Sequence, residues 1–178
     1  VLIVGGASGM GGAVVLAAEA ALASGAGLVS VASHPDNMSG MLARLPEAMW
    51  VNPLGSDDRS LSAVLASADV MVLGPGLGRG EWSRRVLDAT ARFSGPVVID
   101  ADGLYWLGEQ KARRQFGMAA KPRFLTPHDG EAAHLLTCSS SAIRGDRRQA
   151  VINMAMQFDA TCLLKGPGTI IGTGQTQA

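Results

Sequence analysis

Lys165 opens the glycine turn of Leu163-Leu164-Lys165-Gly166-Pro167-Gly168-Thr169, directly behind an apolar run. A lysine ammonium is a point charge suited to phosphate, and successive backbone N–H groups in a glycine turn can hold phosphate oxygens. Two more glycine loops follow apolar runs: Gly5-Gly6-Ala7-Ser8-Gly9-Met10-Gly11-Gly12 and Gly74-Pro75-Gly76-Leu77-Gly78. Each is a weak signal alone. Three behind three strands suggest a phosphate-bearing ligand, because glycine lets the backbone approach closely. The plainer reading of 165–169 is a β-hairpin turn with a solvated lysine, and such a turn can still face a nucleotide.

The titratable candidates sit in two other loops. His128 stands in Thr126-Pro127-His128-Asp129-Gly130-Glu131, just before a helical stretch. Glu131 has the spacing of a helix-capping residue. Alternatively, His128 contacts a ligand and Glu131 organises a metal or water near phosphate. Asp100 and Asp102 follow an apolar strand; alternation puts them on opposite faces if the strand continues, with at most one directed into a site. A cation-linked role and a turn-forming role both remain open for them. His34 reads as a loop residue and His134 as a structural helix residue.

Gly5, Gly9 and Gly11 also match the G-x-x-x-G-x-G spacing of short-chain dehydrogenases, where a helix N-terminus faces a pyrophosphate. Two features count against that chemistry. Strand two ends in Ser33-His34-Pro35 without an acidic residue for a ribose, and Tyr105 is followed four residues on by Glu109 rather than lysine.

The elements that must carry these loops are legible. Short apolar strands are predicted over 1–4, 28–32, 48–51, 69–73, 96–99, 123–125, 161–164 and 169–171. Helices are predicted over 12–24, 38–45, 60–67, 81–93 and 146–158, with another ending at 136. Strand–helix alternation with short connections predicts an α/β fold, a three-layer α/β/α sandwich with a mostly parallel central sheet. In such sheets ligands bind beyond the carboxyl ends of the strands, where 5–12, 74–78, 100–103, 126–131 and 165–169 all fall.

Composition agrees. The 178 residues suit one domain, and 47% apolar content with only 4% aromatics requires a core of Ala, Val, Leu, Ile and Met. Zero net charge gives no electrostatic case for a nucleic-acid or anionic-membrane partner. Cys138 and Cys162 fit free thiols in a reducing cytoplasm. The apolar run 13–32 is broken by Glu19, Ser24, Gly25 and Gly27, which reads as helix, stop and strand rather than a membrane span.

Taken in order, VLIVGGASGMGGAVVLAAEAALASGAGLVSVA, VMVLGPGLGR, PVVIDADGL, FLTPHDGEAAHLL and LLKGPGTII resemble the carbohydrate-kinase-like domain of NAD(P)H-hydrate dehydratase, in the ribokinase-like superfamily. The resemblance covers 1–172. Its TPHxGE motif differs from pyridoxal and hydroxymethylpyrimidine kinases, which usually carry Asn where His128 stands.

The resemblance implies a ribokinase-like fold and a repair reaction. The S epimer of hydrated NADH or NADPH is dehydrated at the expense of ADP or ATP, with ADP the expected nucleotide. By motif match, Ala13, Gly76 and His128 contact the hydrated dinucleotide. Lys165, Gly166, Pro167, Gly168 and Thr169 hold the adenine nucleotide. Mg²⁺ is expected between the phosphates, supported by Glu131 and Asp102. Relatives form homo-oligomers, so self-association is expected.

One departure matters. The family continues into a Gly-x-Gly-Asp motif whose aspartate is the catalytic base, and this sequence reaches Ala178 without it. The expectation is a single but incomplete domain over 1–178, cut at both ends, with no catalytic base and one sheet face uncovered. Asp129 also stands where the family often has Pro, beside His128, whose charge state it could alter. A small-molecule kinase of the same superfamily and a non-catalytic nucleotide-binding remnant are the alternatives.

Overall fold

The uninterrupted apolar triplet Leu2–Val4 forms β1, buried on both faces as a central parallel strand must be. The computed structural model describes residues 1–55, 61–109 and 122–174. Around β1 run β2 (Ser30–Ala32), β3 (Met49–Val51), β4 (Met71–Leu73), β5 (Val97–Ile99) and β6 (Arg123–Leu125). The hairpin strands β7 (Thr161–Leu164) and β8 (Ile170–Thr173) complete the sheet. Among the described residues these eight strands form one sheet in the order β3-β2-β1-β4-β5-β6-β7-β8. Every neighbouring pair is parallel except β7 and β8.

The helices are α1 (Gly11–Ala23), α2 (Met38–Arg44), α3 (Leu61–Ser67), α4 (Glu81–Thr90) and α5 (Asp102–Gly108). They continue with α6 (Asp129–Leu136), α7 (Ser140–Gly145) and α8 (Arg147–Phe158). Two of these were not expected from the sequence. Both α5 and α7 are too short to show a helical period. They are recognisable instead from their starts: the turn at Ala101 launches α5, and Ser139 Oγ accepts from Ala142 N at 3.2 Å to cap α7. Helix α4 stops at Thr90 rather than 93, whose backbone closes a turn onto Thr90 O. Asp146 is the N-cap of α8 rather than its first residue. The expected helix start at 60 lies outside the described residues.

Side-chain alternation sorts the core onto the two faces of the sheet. Ile3, Val29 and Val31 pack with Val14 and Ala18 of α1 and Met41 of α2. On the opposite face Leu2, Val4, Leu73, Ile99, Leu125 and Leu164 join α4, α5, α6 and α8 in a second, larger cluster. The α1–α2 layer covers β1 to β3. Farther along that face, in register across β5 to β8, Phe124 is 38% exposed and Ile171 is 64% exposed. No helix of the described residues is long and apolar enough to cross a membrane.

Candidate functional site

Strand order reverses at β1, which has β2 on one side and β4 on the other, and ligands of open α/β sheets bind beyond the strands at that point. The loops leaving β1 and β4 are bonded to each other there. Gly6 N–H donates to Pro75 O at 2.9 Å and Ala7 N–H to Gly76 O at 2.7 Å. At Gly76, φ is +58°, and an added Cβ would come within 2.7 Å of Met10 O and 3.1 Å of Ala13 Cβ. Ala13 and Gly76, expected to touch the same ligand, are therefore brought together. His34 caps a short turn at 35–37 and meets the Trp82 ring edge-on at 5.5 Å, a structural role.

The next loop anchors this one. Strand β5 does not continue past Ile99, so the alternation expected of Asp100 and Asp102 does not apply. Ala101 takes φ 49° and ψ −122°, a conformation rare for a residue with a Cβ, and the chain turns into α5. Asp102 then accepts from Gly78 N at 2.9 Å and Arg79 Nε at 3.0 Å. Through these bonds it braces the 74–78 loop. Asp100 faces the hairpin turn: Oδ1 accepts from Thr126 Oγ1 at 2.9 Å and from Lys165 Nζ at 2.7 Å. Gly74, at φ +120°, permits this packing, because a Cβ there would run into Asp100 O.

His128 and Glu131 form a reciprocal cap on α6. His128 Nδ1 accepts from Gly130 N (2.9 Å) and Glu131 N (3.2 Å), while Glu131 Oε2 accepts from His128 N at 2.8 Å. With Nδ1 accepting, a neutral imidazole carries its proton on Nε2, 3.4 Å from Glu131 Oε1. The ring is 59% exposed, so capping leaves its outer edge open to a ligand. His134, on the same helix, stacks on Tyr105 at 5.0 Å, consistent with its expected structural role.

The 165–169 segment is the turn of the β7–β8 hairpin, closed by Thr169 Oγ1 donating to Gly166 O at 3.1 Å. Lys165 N–H donates to Pro127 O at 2.8 Å, tying the turn to the His128 loop. Lys165 Nζ reaches Asp100 and lies 3.9 Å from Glu131 Oε2. Hydrogen bonds thus run unbroken from the β1 loop through the β4, β5 and β6 loops to the hairpin turn. His128 stands two strands from Gly76, about 10 Å along the sheet edge, a distance an extended dinucleotide spans.

One participant was left undecided by the sequence and another escaped it. Asp100 was one of two equivalent candidates, and only the β5–β6 register beside Thr126 distinguishes it. Arg147 gave no signal: it opens α8, yet its Nη1 donates to Asp129 Oδ1 at 2.6 Å. That pair engages the Asp129 carboxylate.

Among the described residues no group of three or more His, Cys, Asp or Glu is preassembled for a metal. Carboxylate oxygens are nevertheless what Mg²⁺ takes, with waters and phosphate oxygens completing its shell. Asp100 and Glu131, flanking Lys165, fit as supports for a Mg²⁺ ion arriving with a nucleotide.

A mostly parallel sheet with its glycine loops, a lysine turn and two carboxylates gathered at the strand ends has a ribokinase-like fold. A ribokinase-like protein from Enterococcus faecalis superposes with TM-score 0.81 over 97% of this chain and 59% of its own, at 24% identity. The family model for NAD(P)H-hydrate dehydratase matches residues 1–178, and the chain belongs to that family. It is 40% identical over 171 residues to the bifunctional NAD(P)H-hydrate repair enzyme Nnr of Coxiella burnetii, covering 96% of this chain and 33% of the relative. With the ADP-dependent (S)-NAD(P)H-hydrate dehydratase of Neisseria meningitidis it shares 35% identity over 178 residues, 98% of this chain and 58% of that one. The ADP/ATP-dependent NAD(P)H-hydrate dehydratase of Bacillus subtilis, co-crystallised with ATP/Mg²⁺, superposes with TM-score 0.75 at 26% identity, over 97% of this chain and 59% of its own. The chain thus spans about one third of the bifunctional relative and under two thirds of the other three.

Proposed function

We propose that the protein containing this chain dehydrates the S epimer of hydrated NADH or NADPH, using ADP in preference to ATP. One observation carries the reading: Lys165 of the glycine turn, Asp100 and Glu131 meet at the strand ends, beside a His128 whose outer edge is free. Support for the nucleotide and the epimer comes from the Neisseria relative, whose name specifies ADP and the S form.

In this reading Lys165, Gly166, Pro167, Gly168 and Thr169 hold the nucleotide phosphates, and Ala13, Gly76 and His128 line the hydrated nicotinamide side. Mg²⁺, when bound, neutralises phosphate charge. The ring hydroxyl attacks the terminal phosphorus, and the nucleotide departs one phosphate shorter. The phosphorylated carbon then loses phosphate as the neighbouring C–H gives up its proton, which restores the ring double bond. The proton of that hydroxyl passes to a general base that is not among the residues named here, which bind and orient. Lys165 is freed from Asp100 as phosphate takes its place.

The test uses the full-length protein with and without Lys165→Ala. Chemically prepared NADH-hydrate is supplied with ADP, ATP or neither, and the near-ultraviolet absorbance of reduced nicotinamide is followed. The expected result is recovery that requires nucleotide, is faster with ADP, and falls at least about a hundredfold in the variant. A stable phosphorylated product would point instead to a small-molecule kinase. No recovery from a folded protein would sink the dehydratase reading.

A further inference from the structure

Arg147 donates to the 165–169 turn from outside it, at the first position of α8. Its Nη1 is held by Asp129 at 2.6 Å. Its Nη2 donates to three backbone carbonyls: Leu164 O and Lys165 O at 3.2 Å each, and Gly168 O at 3.4 Å. Those carbonyls lie at the end of β7, at the base of the turn and near its exit, so a single planar fork grips both arms of the hairpin loop. The fit is close on the other side as well. A Cβ on Gly166 would come within 2.8 Å of Nη2 and 2.9 Å of Nη1. With Arg147 and Asp129 only 20% and 24% exposed, water competes weakly for these bonds.

We infer that Arg147 is a positioning residue for nucleotide binding, clamping the 165–169 turn so that Lys165 Nζ and the glycine N–H groups face the phosphates. The ligand assignment rests on the function proposed above; the clamp is read from the contacts. Asp129 completes the device by fixing the guanidinium from the α6 side. His128 is held by the reciprocal cap within α6, and the Lys165 N–H to Pro127 O bond that joins turn and loop is a backbone bond that Arg147 does not make. The clamp therefore governs nucleotide affinity and leaves the hydrated-dinucleotide side alone. Arginine is required, because a lysine ammonium can keep the ion pair to Asp129 but cannot fork across three carbonyls.

The experiment uses the full-length protein and three variants, Arg147→Lys, Arg147→Gln and Asp129→Asn. Direct titration with Mg²⁺–ADP and Mg²⁺–ATP gives Kd, steady-state assays give KM for nucleotide and for NADH-hydrate, and thermal melting reports folding. Both Arg147 variants are expected to weaken nucleotide about tenfold, the scale of one lost hydrogen bond to a charged group. Asp129→Asn should weaken it a few-fold, with the KM for NADH-hydrate within twofold of the parent throughout. Folded variants with an unchanged nucleotide Kd, or a change confined to melting temperature or to the KM for NADH-hydrate, would overturn the inference. If both Arg147 variants fail to fold, Asp129→Asn decides on the same criteria. A parent that binds nucleotide but does not dehydrate would remove the proposed reaction and leave the clamp to be judged on Kd. A parent that binds neither nucleotide would remove both.

Discussion

Two thiols of one residue type have opposite fates here, and both follow from position. Cys162 points from β7 into the larger core cluster and is fully buried, and burial pushes its thiol up to about 12 from an ordinary 9.0. Cys138 follows α6 and is exposed. Only a thiolate attacks a disulfide reagent, so a thiol count on residues 1–178 expressed alone should give one fast-reacting group, and two in denaturant. The sign of the pH effect follows from the same shift. Above pH 9.0 the unfolded chain loses the Cys162 proton while the folded chain keeps it to about 12, so stability falls as pH rises through that window. A Cys162→Ala variant, compared with the parent in denaturant melts across this range, should lack that part of the decline.

Helix α6 is the element on which stability and binding can be separated. His128 supplies its N-cap through Nδ1 and also presents a free ring edge. His128→Ala removes both, and loss of a cap costs about 1 kcal/mol, or roughly 2–4 °C in melting temperature for a domain of this size. Asn caps as well as any residue, so His128→Asn should melt within about 0.5 kcal/mol of the parent. Both variants should raise the KM for NADH-hydrate. If Asn restored stability and also left that KM unchanged, His128 would be a cap and nothing more.

At the scale of the molecule, the unusual feature is the sheet face beyond α1. Phe124 on β6 and Ile171 on β8 are exposed there with β7 between them, whereas the opposite face is packed by α4, α5, α6 and α8. Contiguous exposed apolar surface binds apolar dyes and promotes association. Residues 1–178 expressed alone should therefore enhance the fluorescence of an anilinonaphthalene dye. Replacing Phe124 and Ile171 together by Thr should reduce that signal while a cooperative melt persists. An unchanged signal would place the dye elsewhere.

The order of apolar triplets, glycine loops and amphipathic helices was enough to establish an α/β sheet with its motif loops at the strand carboxyl ends. Those features are local: a buried strand, a glycine turn and a helical period each reside within a few residues. The hairpin at 165–169 and the capping spacing of His128 and Glu131 were legible for the same reason. Tertiary structure alone decided that Asp100, and not Asp102, meets Lys165, a partner 65 residues away. It alone brought Arg147 to the 165–169 turn and paired it with Asp129. Such contacts depend on strand order and register, which close long loops between residues that carry no mark of one another in the chain.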